Sequence, residues 1–149
     1  MVHIERSALV LHSALMMHAL VSDLAAYPQF LPWCQASESR LLAPDLVEAT
    51  LHIEFRGVRQ RFTTRNRTHP DQSIELALVD GPFKHLEGRW SFVPLRSDAS
   101  KVNLVLDYQL ASGLLEHVVG PMFSFIAGTL VDAFVRRADS FGKGELDAR

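Results

Sequence analysis

The stretch Val47-Glu48-Ala49-Thr50-Leu51-His52-Ile53-Glu54-Phe55-Arg56 alternates apolar and polar residues without a break, and Gly57 separates it from the arginine-rich run Val58 to Arg67. A period of two sends one set of side chains to a core and the other to water, so this is a half-buried strand. Arg56-Gly57 supplies a two-residue hairpin turn. That turn sets a register in which Glu54 faces Arg59, His52 faces Arg61, Thr50 faces Thr63 and Glu48 faces Arg65. It also turns Gln60, Phe62, Thr64 and Asn66 inward beside Ile53, Leu51, Ala49 and Val47. Gln60, Thr64 and Asn66 are polar, and each then needs a hydrogen-bond partner, a trapped water or a ligand.

Outward from this hairpin the pattern repeats. Strands are expected at Ser37 to Leu42, Ser73 to Val79, Leu86 to Leu95 and Lys101 to Leu110, with Asp80-Gly81-Pro82-Phe83 turning the chain between two of them. Six consecutive strands with short connections make an antiparallel sheet. Upstream lie an extended segment from His3 to about Val10 and a helix over Ala14 to Val21, with Ser13 placed as its N-cap. Pro28 and Pro32 bracket Gln29-Phe30-Leu31, so Tyr27 to Trp33 reads as a tight turn with exposed aromatic surface. From about Leu114 the period becomes helical, with Phe123, Ile126, Leu130, Phe134, Ala138 and Phe141 at spacings of three and four. Pro121 means that the main helix either starts near Gly120 or kinks there. The architecture is α+β: a six-stranded sheet wrapped around one long helix, incompletely closed because polar groups point inward, and so enclosing a cavity. One domain over residues 1–141 and a flexible tail over 142–149 account for the chain.

Composition narrows the function. Of 149 residues, 48% are hydrophobic and 21% charged, which excludes disorder and leaves little room for a second domain. A net charge of -2 lacks the basic excess of a non-specific nucleic-acid binder, and no DNA partner is expected. One cysteine, Cys34, allows neither an intramolecular disulfide nor a cysteine-based zinc site. The charged pair Glu5-Arg6 interrupts any signal peptide, and the uncharged run from His117 to Val131 falls short of the roughly 20 residues of a membrane span. A cytoplasmic location follows. The seven histidines show no metal-ligand spacing, and neither a phosphate loop nor a nucleophile elbow occurs. Cys34 has no base at hand in the sequence. A binding protein without metal, cofactor or catalysis is expected.

Longer ordered motifs sharpen this. Val21-Ser22-Asp23 followed by Tyr27-Pro28-Gln29-Phe30-Leu31-Pro32-Trp33-Cys34, then Phe62-Thr63-Thr64-Arg65-Asn66, then Val79-Asp80-Gly81-Pro82-Phe83-Lys84 with Leu86, Gly88, Trp90, Phe92 and Pro94, and finally Phe134 to Ala138, run through nearly the whole chain. Together they resemble the family of coenzyme Q-binding proteins and the ribosome association toxin RatA, within the START-like (polyketide cyclase/dehydrase) superfamily. The resemblance implies a helix-grip fold, β-α-α-β6-α, whose curved sheet holds the C-terminal helix and leaves a tunnel for a hydrophobic ligand. It also implies a second short helix near Ala25 to Phe30.

Two functions follow from that resemblance. The first is a lipid chaperone for respiration that sequesters ubiquinone or a related polyprenyl lipid. Phe30, Leu31, Trp33, Phe62, Trp90, Tyr108, Phe125 and Leu130 would form the walls, and Gln60, Thr64 and Asn66 would meet the head group. Tyr27 to Trp33 would then serve as an entrance lip making transient contact with the membrane surface, peripheral at the inner membrane. The alternative is a toxin that binds the large ribosomal subunit and blocks subunit association, with Arg59, Arg61 and Arg65 as RNA contacts. Against it stand Glu48 and Glu54, placed to neutralise that face.

Overall fold

In chain order the elements are β1 (Val2–Val10), α1 (Ala14–Ser22), a 3-10 turn (Leu24–Ala26), α2 (Tyr27–Phe30), β2 (Cys34–Ala43), β3 (Leu46–Phe55), β4 (Val58–Thr68), β5 (Ile74–Asp80), β6 (Phe83–Arg96), β7 (Ala99–Leu110), α3 (Gly113–Val118) and α4 (Gly120–Ala148). The computed structural model describes the backbone of residues 1–148 and the side chains of residues 1–141. The seven strands form one curved antiparallel sheet in the order β1-β7-β6-β5-β4-β3-β2.

The β3–β4 hairpin pairs in the anticipated register, Glu54 with Arg59 through Glu48 with Arg65. Arg56 (φ 51°) and Gly57 (φ 81°) are both left-handed, the geometry whose twist matches paired strands. Arg59 reaches Glu54 at 3.2 Å, Glu48 is shared by Arg40 at 2.6 Å and Arg65 at 3.8 Å, and the hydroxyls of Thr50 and Thr63 lie 2.7 Å apart. Such solvent-facing ion pairs are each worth only about 0–1 kcal/mol. They order the face more than they stabilise it.

Three expectations change. The sheet has seven strands rather than six, because β1 pairs along β7 from Val2 with Tyr108 to Val10 with Ser100 and thereby covers that strand's open edge. Of the segment read as a turn, Tyr27–Phe30 is instead helical, forming α2 directly after the 3-10 turn Leu24–Ala26, where the resemblance implied a second short helix. Pro28 sits in the first turn of α2, where its missing N–H breaks no helical bond. The aromatic surface expected to be exposed there is turned inward: Tyr27, Leu31 and Trp33 are buried, and the Tyr27 hydroxyl donates to the Val21 carbonyl at 2.5 Å. The anticipated membrane-touching lip is therefore not formed by these rings.

Ser13 caps α1 by accepting the Met16 N–H at 3.1 Å. At the other end, Pro121 stands at the start of α4, with the short α3 before it, so the main helix begins at Gly120. The segment expected as a flexible tail, 142–149, overlaps the end of α4; its side chains, and Arg149 altogether, lie outside the described residues. The helix plants Phe134, fully buried, among Tyr27 (5.3 Å between ring centroids), Phe30 (5.2 Å) and Trp90 (5.4 Å). At about 25 cal/mol per Å² of buried apolar surface, this aromatic cluster is a main attachment of helix to sheet.

Candidate functional site

Where α4 crosses the inner faces of β3 to β6, sheet and helix leave a cavity of about 80 Å³. Its walls are apolar, including Leu51, Phe62, Leu76, Trp90, Phe123 and Leu130, and among the described residues no charged side chain lines it. Thr64 and Asn66 bring the polar atoms. The Thr64 hydroxyl donates to Asn66 Oδ1 at 2.7 Å, and among the described residues the Asn66 amide N–H groups have no protein acceptor. Tyr27 also lines the cavity, but its hydroxyl is committed to Val21, and burial raises its pKa above the usual tyrosine value. A second space of about 90 Å³ shares Leu24, Tyr27, Asn66, Leu76 and Trp90 with the first and extends towards Ser22 and Thr68. Asn66 stands on the common wall.

Of the residues anticipated for the pocket, Trp33, Phe62, Thr64, Asn66, Trp90 and Leu130 line the cavity. Phe30, Leu31, Gln60, Tyr108 and Phe125 do not. Tyr108 lies under Phe123, ring centroids 4.6 Å apart, and is sealed into the core, as is Leu31. Phe30 packs its ring on Phe134 and faces an outer groove. Phe125 is on another side of α4, stacked on Phe55 at 4.9 Å. Gln60, close to the hairpin turn, is half-buried beyond the cavity's end. The additional wall residues Leu51, Leu76, Leu86, Phe123 and Ile126 carried an inward signal in their strand or helix period, but nothing in that period separates a lining position from a packed one.

Of the arginines considered for RNA, Arg59 and Arg65 are engaged by Glu54 and Glu48, while Arg61 faces His52 across the hairpin. Cys34 is buried, which pushes its thiol up to about 11, so it stays protonated at neutral pH and is a poor nucleophile. Among the described residues no three His, Cys, Asp or Glu side chains converge as metal donors, and no helix is long and apolar enough to cross a membrane.

Alongside this geometry, a curved antiparallel sheet closed by a long terminal helix over an apolar cavity, the sequence matches the family described as polyketide cyclase / dehydrase and lipid transport over residues 11–135. The chain belongs to this family. Within the polyketide cyclase / dehydrase and lipid transport family its relatives divide by similarity. It is 43% identical to the ribosome association toxin RatA of Pseudomonas aeruginosa, over 91% of this chain and 94% of that one. With RatA of Escherichia coli strain K12 the identity is 41%, over 93% and 87%. The mitochondrial coenzyme Q-binding protein COQ10 homolog B of Xenopus laevis is 27% identical over 87% of this chain and 55% of its own length. Among solved structures, the Zhui aromatase/cyclase of Streptomyces sp. R1128 superposes with a TM-score of 0.80 at 17% identity, covering 93% of both chains, a likeness of fold alone. A START superfamily protein of Mycobacterium smegmatis gives 0.76 at 25% identity, over 93% of this chain and 98% of that one.

Proposed function

We propose that the chain is a RatA-type binding protein that associates with the large ribosomal subunit, obstructs subunit joining and performs no chemistry of its own. The observation that carries this reading is the identity of 43% with a ribosome association toxin across nearly the full length of both chains. The cavity adds a magnitude: at about 80 Å³ it is well below the roughly 300–1,000 Å³ of sites that enclose drug-sized ligands, which favours this reading over enclosure of a long polyprenyl tail. Sedimentation of purified protein with isolated subunits through a salt series tests the reading. The protein is expected in the large-subunit fraction at low salt, with loss as salt rises. Absence from that fraction at every salt concentration rejects it.

A second reading, binding of a neutral apolar ligand such as a quinone, draws support from the apolar walls and from the unused Asn66 amide donors. Asn66 would donate to a ring carbonyl, while the absence of a lining cation disfavours a carboxylate. Mass spectrometry of lipid extracted from natively purified protein is expected to find a quinone on this reading. Extracts free of any such lipid count against it.

A further inference from the structure

Most arginines of the sheet are neutralised where they stand: Arg40 and Arg65 by Glu48, Arg59 by Glu54, Arg67 by Asp45, Arg89 by Glu75 and Arg96 by Asp98. Among the described residues Arg6, Arg56, Arg61, Arg136 and Arg137 form no ion pair; Arg6 donates to the Glu5 carbonyl and Arg61 faces His52, whereas Arg56, Arg136 and Arg137 stand beside aromatic rings. The Arg56 guanidinium lies over Phe55, 5.0 Å from its centroid, and Phe55 stacks on Phe125 at 4.9 Å with ring planes 20° apart. Phe125 in turn walls a groove of about 430 Å³ between the α2–β2 connection and α4, whose other sides include Pro32, Trp33, Thr129, Arg136 and Arg137 and, among the described residues, no acidic one. Asp132, one turn before Arg136 on the helix, makes no ion pair with it.

Arg137 is held in place. Its Nη2 donates to Gln29 Oε1 at 2.8 Å, its guanidinium rests on Phe30 (5.0 Å) and Phe141 (4.4 Å), and its Nε is buried with no acceptor among the described residues. Phe125 remains 47% exposed and Phe141 40%. The groove thus joins the held guanidinium of Arg137 and the exposed one of Arg136, neither paired with an acid among the described residues, to an open aromatic face. It falls within the size range of small-molecule sites, unlike the inner cavity.

We propose that this groove, rather than the arginine-rich strand β4, is the RNA-contacting surface, and that it takes an unstacked nucleotide of single-stranded RNA, the base on Phe125 and the phosphate at Arg136 and Arg137. The assignment rests on the ribosome reading above and names its contact. A flat base has a π-face for a phenylalanine of any orientation, and a guanidinium fits phosphate in a fork, so this pairing of groups suits single strands. A bilayer is the weaker match, because the rings line a concavity and present no apolar ridge to insert among acyl chains.

The test titrates a fluorescent hexauridine oligonucleotide and, in parallel, sediments protein with large subunits, using the wild type, Phe125→Ala, Arg136→Glu and the double variant Arg59→Glu/Arg61→Glu. Phe125→Ala should weaken oligonucleotide binding about 5- to 150-fold, the range for loss of one stacked base. Arg136→Glu should lower the salt dependence by about 0.7 in log–log slope per lost phosphate contact, and the β4 double variant should stay close to wild type. Arg136 is exposed, so its variant tests the groove even where Phe125→Ala melts early. Groove variants that bind oligonucleotide and sediment like wild type overturn the proposal while leaving the ribosome reading intact. Groove-dependent oligonucleotide binding without sedimentation supports the groove and rejects the ribosome reading. Wild-type protein that ignores the oligonucleotide but binds phosphatidylglycerol vesicles through Phe125 overturns it in favour of a membrane surface.

Discussion

On the inner face of β4 the hydroxyl of Thr64 donates to the side-chain oxygen of Asn66, 2.7 Å away, within a cavity that is otherwise apolar. The Thr64 hydroxyl and the Asn66 side-chain oxygen satisfy each other. Truncating one therefore strands its partner, and Asn66→Leu or Thr64→Val alone should cost about 1–3 kcal/mol. The double variant should cost clearly less than the sum of the two, because no polar group is left unpaired. Urea denaturation of all four proteins measures this. Strict additivity would mean that each group is hydrated independently.

Gly88 of β6 lies between Leu76 and Leu106 of the neighbouring strands. A Cβ there would meet Leu106 Cδ2 at 2.5 Å and the Val105 carbonyl oxygen at 2.9 Å, and the backbone oxygen cannot swing aside. Gly88→Ala is expected to lose about 1–3 kcal/mol through overpacking, a fall in Tm of roughly 2–12 °C for a chain of this size. Gly113→Ala is the control, since a Cβ at that position meets nothing within 4 Å. Equal melting temperatures for Gly88→Ala and wild type would remove the steric argument.

Trp90 and Phe62 both line the cavity, yet they carry different loads. Trp90 is 3% exposed and packs against Phe134, so Trp90→Ala should cost about 3–5 kcal/mol and act as a core deletion. Phe62 is half-buried, edge-on to Phe83 at 5.8 Å and Phe123 at 6.0 Å. Its truncation should cost less and enlarge the cavity. Trp33 and Trp90 are the chain's two tryptophans and both face the space, so a short-chain quinone entering it would quench their fluorescence. Stronger quenching in Phe62→Ala than in wild type is expected, and unchanged quenching would count against the cavity as a ligand site.

His18 sets a dependence on pH. Burial lowers its pKa from 6.5, its Nε2 has no partner among the described residues, and its ring meets Phe92 edge-on at 5.4 Å. The unfolded chain thus binds this proton more readily than the folded one. Stability from this residue is complete above pH 6.5 and falls as pH drops below it. His3 works in the opposite sense, because its hydrogen bond to Asp107 raises its pKa, but it is solvent-exposed and contributes little. Melting temperatures of wild type and His18→Leu should diverge between pH 7.5 and pH 5, with the variant gaining relative to wild type in acid. Parallel curves would show that the ring is hydrated in the folded state.

Alternation and turn chemistry made the β3–β4 register legible from Val47 to Arg67 before any coordinates, since a slip of one residue would reverse every side chain. Ser13 likewise marked a helix start by a local rule that needs no tertiary context, while Pro121 left a start near Gly120 and a kink there both open. What periodicity reports is the face on which a residue lies, and its depth is another matter. Tyr108 and Phe62 both point inward from their strands, but one is sealed under Phe123 and the other borders open space, a distinction made by where α4 crosses the sheet. Tertiary packing also turned Tyr27 and Trp33 inward, brought β1 to the edge of β7, and set Arg136 and Arg137 beside Phe125. The fold could be read in the sequence because its signals are local and repeat; the sites could not, because they depend on which distant surfaces meet.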